Sequence, residues 1–119
     1  MAVEASAIAL IQIREIALKQ TSTNNPGFDL YEGDSIEHAS RLVEVKSVKG
    51  KWVNPVTLSL EQFRVACRKR RAYWLYVVEH ASDPEKSLIH RIQDPVSLIK
   101  YFTFDPGWKA VARGRRNWE

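Results

Sequence analysis

The run Val43-Glu44-Val45-Lys46 is where residue types and spacing first suggest chemistry. Side chains alternate along a strand, so Glu44 and Lys46 share one face while Val43 and Val45 point to the other, toward a core. Upstream, Asp29 stands between Phe28 and Leu30 on a stretch that would pair with this one as a hairpin, which brings its carboxylate toward the same spot. Two carboxylates on neighbouring strands make a hard-oxygen site of the kind Mg2+ takes, with Mn2+ as a substitute. Such an ion needs only one or two protein carboxylates and completes its octahedron with water and substrate phosphate. A lysine beside them is placed to orient or deprotonate an attacking water and to offset charge on a phosphorane-like transition state. Together these are the parts of a phosphodiesterase. As bare spacing, Glu-x-Lys also describes an ordinary same-face surface pair worth about 0.2 to 1 kcal/mol, with Asp29 a turn residue.

Those side chains need a sheet and a helix to hold them. Apolar residues at spacings of three and four predict an amphipathic helix over residues 3–19, closed by the turn formers of residues 21–27. Residues 28–31 read as a short strand and 41–48 as an alternating one in which Leu42 is out of phase. Residues 52–58 read as a third strand, with Pro55 implying an edge or a bulge. Ser59 with Gln62 three residues on forms a capping-box signature for a second helix over 60–70, whose apolar face is Phe63, Ala66 and Cys67. Residues 73–79 (YWLYVVE) are too apolar for an exposed face and predict an interior strand, and 88–92 predict the next. Asp94 and Pro95 are expected to cap a short third helix through Tyr101. The resulting order, α-β-β-β-α-β-β-α, is that of an α/β or α+β domain with a mixed central sheet flanked by helices. It spans residues 1–102, followed by a tail over 103–119 that carries Trp108 and Trp118 among Arg113, Arg115 and Arg116.

In order, the segments Pro-Gly-Phe-Asp-Leu, Val-Glu-Val-Lys, Val-Thr-Leu-Ser, Tyr-Trp-Leu-Tyr-Val-Val and Ile-His-Arg-Ile-Gln-Asp-Pro resemble the NO VEIN C-terminal domain family. That family is similar to the PD-(D/E)XK restriction-endonuclease-like superfamily. The opening Val3-Glu4-Ala5-Ser6-Ala7-Ile8 extends the likeness, which covers residues 3 to about 102. The resemblance implies a restriction-endonuclease-like core in which Asp29 is the signature Asp, Glu44 the acidic member of its second half and Lys46 its lysine. Glu4 and Glu15 fall where the family's first helix often carries glutamate, either of them a further route to the metal through water. Gln62 stands where the family commonly has Glu, which weakens the case for cleavage, although an amide still bonds phosphate or water. The implied activity is Mg2+-dependent phosphodiester hydrolysis on DNA, in a restriction or phage-defence setting, beside a helicase or other ATPase module. A chain this small would need a dimer or a partner domain to reach both strands of a duplex. The rival reading is a non-cleaving nucleic-acid or protein-interaction module on the same fold.

Around this site, Lys49 and Lys51 in the turn after Val48 are placed to steer a nucleic-acid backbone, and Trp52 to stack a base or pack an edge. The basic run Arg68, Lys69, Arg70 and Arg71 suits either phosphate or the negative end of a helix. His38, His80 and His90 have no metal-ligand spacing, and Cys67 reads as a buried small apolar residue. No glycine-rich phosphate loop and no Gly-x-Ser-x-Gly nucleophile elbow occurs in the sequence.

Composition bounds the rest. At 119 residues with 45% hydrophobic and 27% charged residues, a single globular domain is expected. No apolar run is long enough to span a membrane, and the apolar start is broken by Gln12, Arg14 and Glu15, unlike a signal peptide. A lone cysteine excludes an internal disulfide or a thiolate zinc centre and suits a reducing cytoplasm. A net charge of +4 is modest support for an anionic partner.

Overall fold

The alternation Arg41-Leu42-Val43-Glu44-Val45-Lys46-Ser47-Val48 folds as one strand over its whole expected length. The computed structural model describes residues 2–22 and 27–99. Its order is α1 (Ala2–Arg14), β1 (Lys19–Gln20), β2 (Leu30–Glu32), β3 (Arg41–Val48), α2 (Leu60–Lys69), β4 (Tyr73–Glu79) and β5 (Leu88–Gln93), with 3₁₀ turns at Arg70–Ala72 and Pro95–Leu98. One five-stranded sheet runs β1-β2-β3-β4-β5. The β3–β4 pair is parallel and the other neighbours are antiparallel, giving the expected mixed α+β sheet.

Both faces of the sheet are covered, and this resolves the phase of Leu42. Val43 and Val45 point to the face packed by Ala7 and Ile11 of α1, together with Leu18, Leu30, Tyr76 and Val78. Leu42 points to the other face, against Phe28, Tyr73 and the Val65–Ala66 pair of α2. A strand covered on both sides reads as a continuous apolar run, so every side chain from Leu42 to Val45 is buried.

Several expectations are corrected. The first helix ends at Arg14, not at residue 19: the Leu18 N–H turns back onto the Glu15 carbonyl, and Lys19–Gln20 joins the sheet as a short edge strand. Leu18 is buried either way, which is why helical spacing ran through it. Residues 52–58 form no strand. β3 is already paired with β2 on one edge and β4 on the other, and Pro55 has no N–H to offer a ladder. The buried face of α2 is Val65 and Ala66, and Cys67 is exposed rather than buried. Asp94 is in left-handed backbone at φ 52° and caps nothing with its side chain, which lies 3.3 Å from Arg70 Nε. The chain then makes a 3₁₀ turn in place of a third α-helix, and the expected end of that helix at Tyr101, with the tail residues Trp108, Trp118, Arg113, Arg115 and Arg116, lies outside the described residues. Among the described residues no helix is long and apolar enough to cross a membrane.

Candidate functional site

The β2–β3 register pairs Leu30 with Val43, so Asp29, just before β2, comes alongside Glu44. The Asp29 N–H donates to the Val43 carbonyl at 2.8 Å, and the Val45 N–H donates to Asp29 Oδ2 at 2.8 Å. The aspartate carboxylate thus supplies β3 with an acceptor where the β2 ladder has not yet begun. Glu44 is 3% exposed, and its carboxyl group is hydrogen-bonded to that of Asp29. Lys46, two residues on and therefore on the same face, holds Nζ 3.6 Å from Glu44 Oε2.

The capping box at the start of α2 forms as its spacing requires: the Ser59 side chain accepts from the Gln62 N–H and Gln62 Oε1 accepts from the Ser59 N–H at 2.8 Å. The same Gln62 Oε1 accepts from Lys46 Nζ at 3.0 Å. A helix cap is therefore also the tether that points the ammonium along the carboxylates.

Burial pushes the Glu44 carboxyl up to about 8, and the neighbouring charge of Asp29 pushes in the same direction. Lys46 opposes the shift, the hydrogen bond that protonated Glu44 donates to Asp29 adds to it, and exposed Glu4 contributes least. A buried carboxyl group beside a carboxylate ionises only at a cost, so near neutral pH Glu44 keeps its proton. A divalent cation would satisfy both, and the donor set fits one: hard carboxylate oxygens from Asp29 and Glu44. Among the described residues no group of three or more His, Cys, Asp or Glu side chains is arranged to hold a metal, so such an ion would rest on these two carboxylates.

Tyr73 is a positioning residue that sequence reading missed. It lies across from Leu42, is fully buried, and donates its hydroxyl to the Gly27 carbonyl at 2.8 Å, anchoring the chain two residues before Asp29. Burial, then the charges of Glu44 and Asp29, hold that hydroxyl far above the ordinary phenol range. Its only trace in the sequence is membership of an apolar strand.

Glu15 does not join this site. It lies on the opposite sheet face, where Oε1 accepts from Arg41 and from Tyr76, each at 2.9 Å, and Oε2 accepts from Arg91 at 2.8 Å. Burial there is outweighed by Arg91, Tyr76 and Arg41, and its carboxyl stays below the usual carboxylate range. The basic run Arg68, Lys69, Arg70 and Arg71 is exposed at the far end of α2, about 12 Å along the axis from Gln62. Lys49 and Lys51 lie in the turn after β3, Lys49 and Lys51 both open to solvent, while Trp52 is half-buried with Nε1 donating to the Asn54 carbonyl.

Taken together, these features define an α+β domain with an acidic pair, Asp29 and buried Glu44, gathered on one sheet face with Lys46 and the cap residue Gln62. The family model described as Protein NO VEIN, C-terminal, matches residues 3–91, which include all four of these residues, and the chain belongs to that family. No curated protein and no solved structure matches it.

Proposed function

We propose that this domain binds nucleic acid and hydrolyses phosphodiester bonds with Mg2+, in the manner of the PD-(D/E)XK nucleases. The observation that carries the reading is the buried Glu44 carboxyl group beside half-buried Asp29, with Lys46 Nζ 3.6 Å from Glu44 Oε2. A structural role alone gives no reason to bury one acid beside another, whereas a cation site does. Asp29 and Glu44 would hold the ion, which supplies Lewis-acid polarisation of the phosphate when bound. Lys46, steadied by Gln62, orients the attacking water and balances negative charge as the phosphorus becomes five-coordinate. Lys49 and Lys51 steer the backbone toward this face. DNA is the expected substrate and a restriction or phage-defence system the expected setting, with a second copy or an ATPase module completing recognition.

A non-cleaving binding module on the same fold is the second reading. Gln62 favours it, because an amide that accepts from both Ser59 and Lys46 ties the lysine to a helix cap rather than leaving it to water.

The test is Mg2+- and Mn2+-dependent cleavage of single-stranded, duplex and modified DNA and of RNA by wild type, Glu44→Gln and Lys46→Ala. Cleavage should fall at least about 100-fold in each variant, the scale for removing one preorganised charge from an active site. Binding of nucleic acid should hold in Glu44→Gln and weaken in Lys46→Ala. Activity that survives Glu44→Gln overturns the site, and a wild type that binds every substrate but cuts none favours the binding module.

A further inference from the structure

Glu79, at the end of β4, organises a second polar cluster on the sheet face that carries Glu44 and Lys46. Its Oε1 accepts the Trp52 backbone N–H at 3.1 Å, and its Oε2 is hydrogen-bonded to His90 Nε2. The Trp52 ring meets the His90 ring edge-on with centroids 5.0 Å apart. The carboxylate is nearly buried while the imidazole side chain is 34% exposed, so the pair is a histidine held from behind by a carboxylate. That arrangement fixes ring orientation where an imidazole must meet a ligand. Among the described residues, Nδ1 has no partner.

The register links this cluster to the candidate site. Lys46 pairs with Val77, and Val77 pairs with His90, so the lysine and the histidine stand in one row across three strands on one face. Two strand spacings separate them, about 9.6 Å. That is roughly two to three nucleotides at the ~3.4 Å rise per nucleotide of a duplex strand. The turn carrying Lys49 and Lys51 is fastened beside the same end of β4, since the His80 N–H donates to the Gly50 carbonyl at 3.0 Å.

Resting on the nuclease reading above, we propose that His90 in its doubly protonated form, with Nε2–H donating to Glu79, donates Nδ1–H to a second phosphate of the polynucleotide engaged at Lys46. The substrate is then a polynucleotide several nucleotides long, and an isolated diester uses only part of the site.

The two ring nitrogens give the test its direction. His90→Gln keeps an amide near Nε2 for Glu79 and removes the donor at Nδ1, whereas His90→Asn keeps a donor near Nδ1 and abandons Glu79. Binding of a fluorescently labelled 12-nucleotide DNA, single-stranded and duplex, is measured by anisotropy in Ca2+ at low salt. Cleavage of the same DNA in Mg2+ is compared with hydrolysis of bis(p-nitrophenyl) phosphate in Mn2+. His90→Gln should weaken DNA binding about tenfold, with the loss in KM rather than kcat, and that loss should exceed the loss on the small diester by a similar factor. His90→Asn should recover part of the affinity. The reverse order, with Gln harmless and Asn lowering both Tm and affinity, overturns the proposal in favour of a structural ion pair. DNA cleavage that depends on Lys46 but is unchanged in His90→Gln overturns the assignment of His90 alone. A wild type that cuts nothing, yet loses DNA affinity in His90→Gln, overturns the nuclease reading and leaves His90 as a phosphate contact. A wild type that binds no DNA at low salt overturns both.

Discussion

Glu15 and Glu44 each press a carboxyl group against the same sheet, on opposite faces, and their surroundings differ in sign. Glu15 receives Arg41, Tyr76 and Arg91 within 2.9 Å, and its carboxyl stays ionised. Glu44 receives one ammonium at 3.6 Å and faces another carboxyl group, and it is pushed up to about 8. A carboxylate whose oxygens all meet donors fastens the helix end to the strands and has nothing left to offer a ligand. The acid beside another acid keeps an unmet demand for positive charge, which is why the second face and not the first is the place to look for chemistry.

The contrast is broken most forcefully by pH. Glu44 holds its proton more tightly folded than unfolded, so its contribution to stability is fully present below about pH 4.5 and is lost as pH rises toward 8. Glu15 runs the other way: its contribution is present above pH 4.5 and is lost as pH falls through its lowered value. Glu44→Gln should therefore match wild type near pH 5 and exceed it by a few kcal/mol at pH 9, since each tenfold change in proton affinity is worth about 1.4 kcal/mol. Urea unfolding across pH 5 to 9 measures this, and parallel curves would mean that folding does not tighten the hold of Glu44 on its proton. Mg2+ binding at pH 7 should correspondingly release about one proton per ion, read by calorimetry in buffers of different ionisation enthalpy.

A smaller effect sharpens the same comparison from the other side. Glu15→Gln leaves Arg41 and Arg91 without their shared carboxylate and should cost about 2 kcal/mol at pH 7, where Glu44→Gln should already be more stable than wild type. Equal losses in the two variants would erase the distinction between the faces. Smallest is Tyr73→Phe, which removes the bond to Gly27 and should cost about 1 kcal/mol. Cleavage should drop a few-fold in that variant as Asp29 loosens, and unchanged cleavage would show that the anchor serves stability alone.

What was legible in the sequence was local. The period-two run of β3 and the Ser59–Gln62 capping box are written within four to eight consecutive residues, and both form as their spacing requires. The meeting of Asp29 with Glu44 followed from one hairpin, again a short-range inference. The parallel pairing of β3 with β4 is a long-range choice, and it removed the edge that residues 52–58 would have used. Periodicity places Cys67 on an apolar stripe without saying how wide the covered stripe is, and α2 buries only Val65 and Ala66. Glu15, Tyr73 and the Glu79–His90 pair depend on partners 11 to 76 residues away, and no window along the chain brings those together.

The bond from the Val45 N–H to Asp29 Oδ2 has a consequence of another kind. An amide in the middle of an ordered strand has as its acceptor a side chain of the candidate site, so its proton resonance is an unlabelled sensor of that carboxylate. Anything that draws charge from Asp29 changes the electron density at this acceptor and moves one peak in an otherwise quiet strand. The fold thus carries its own spectroscopic gauge of the site, readable whether or not any bond is ever cut.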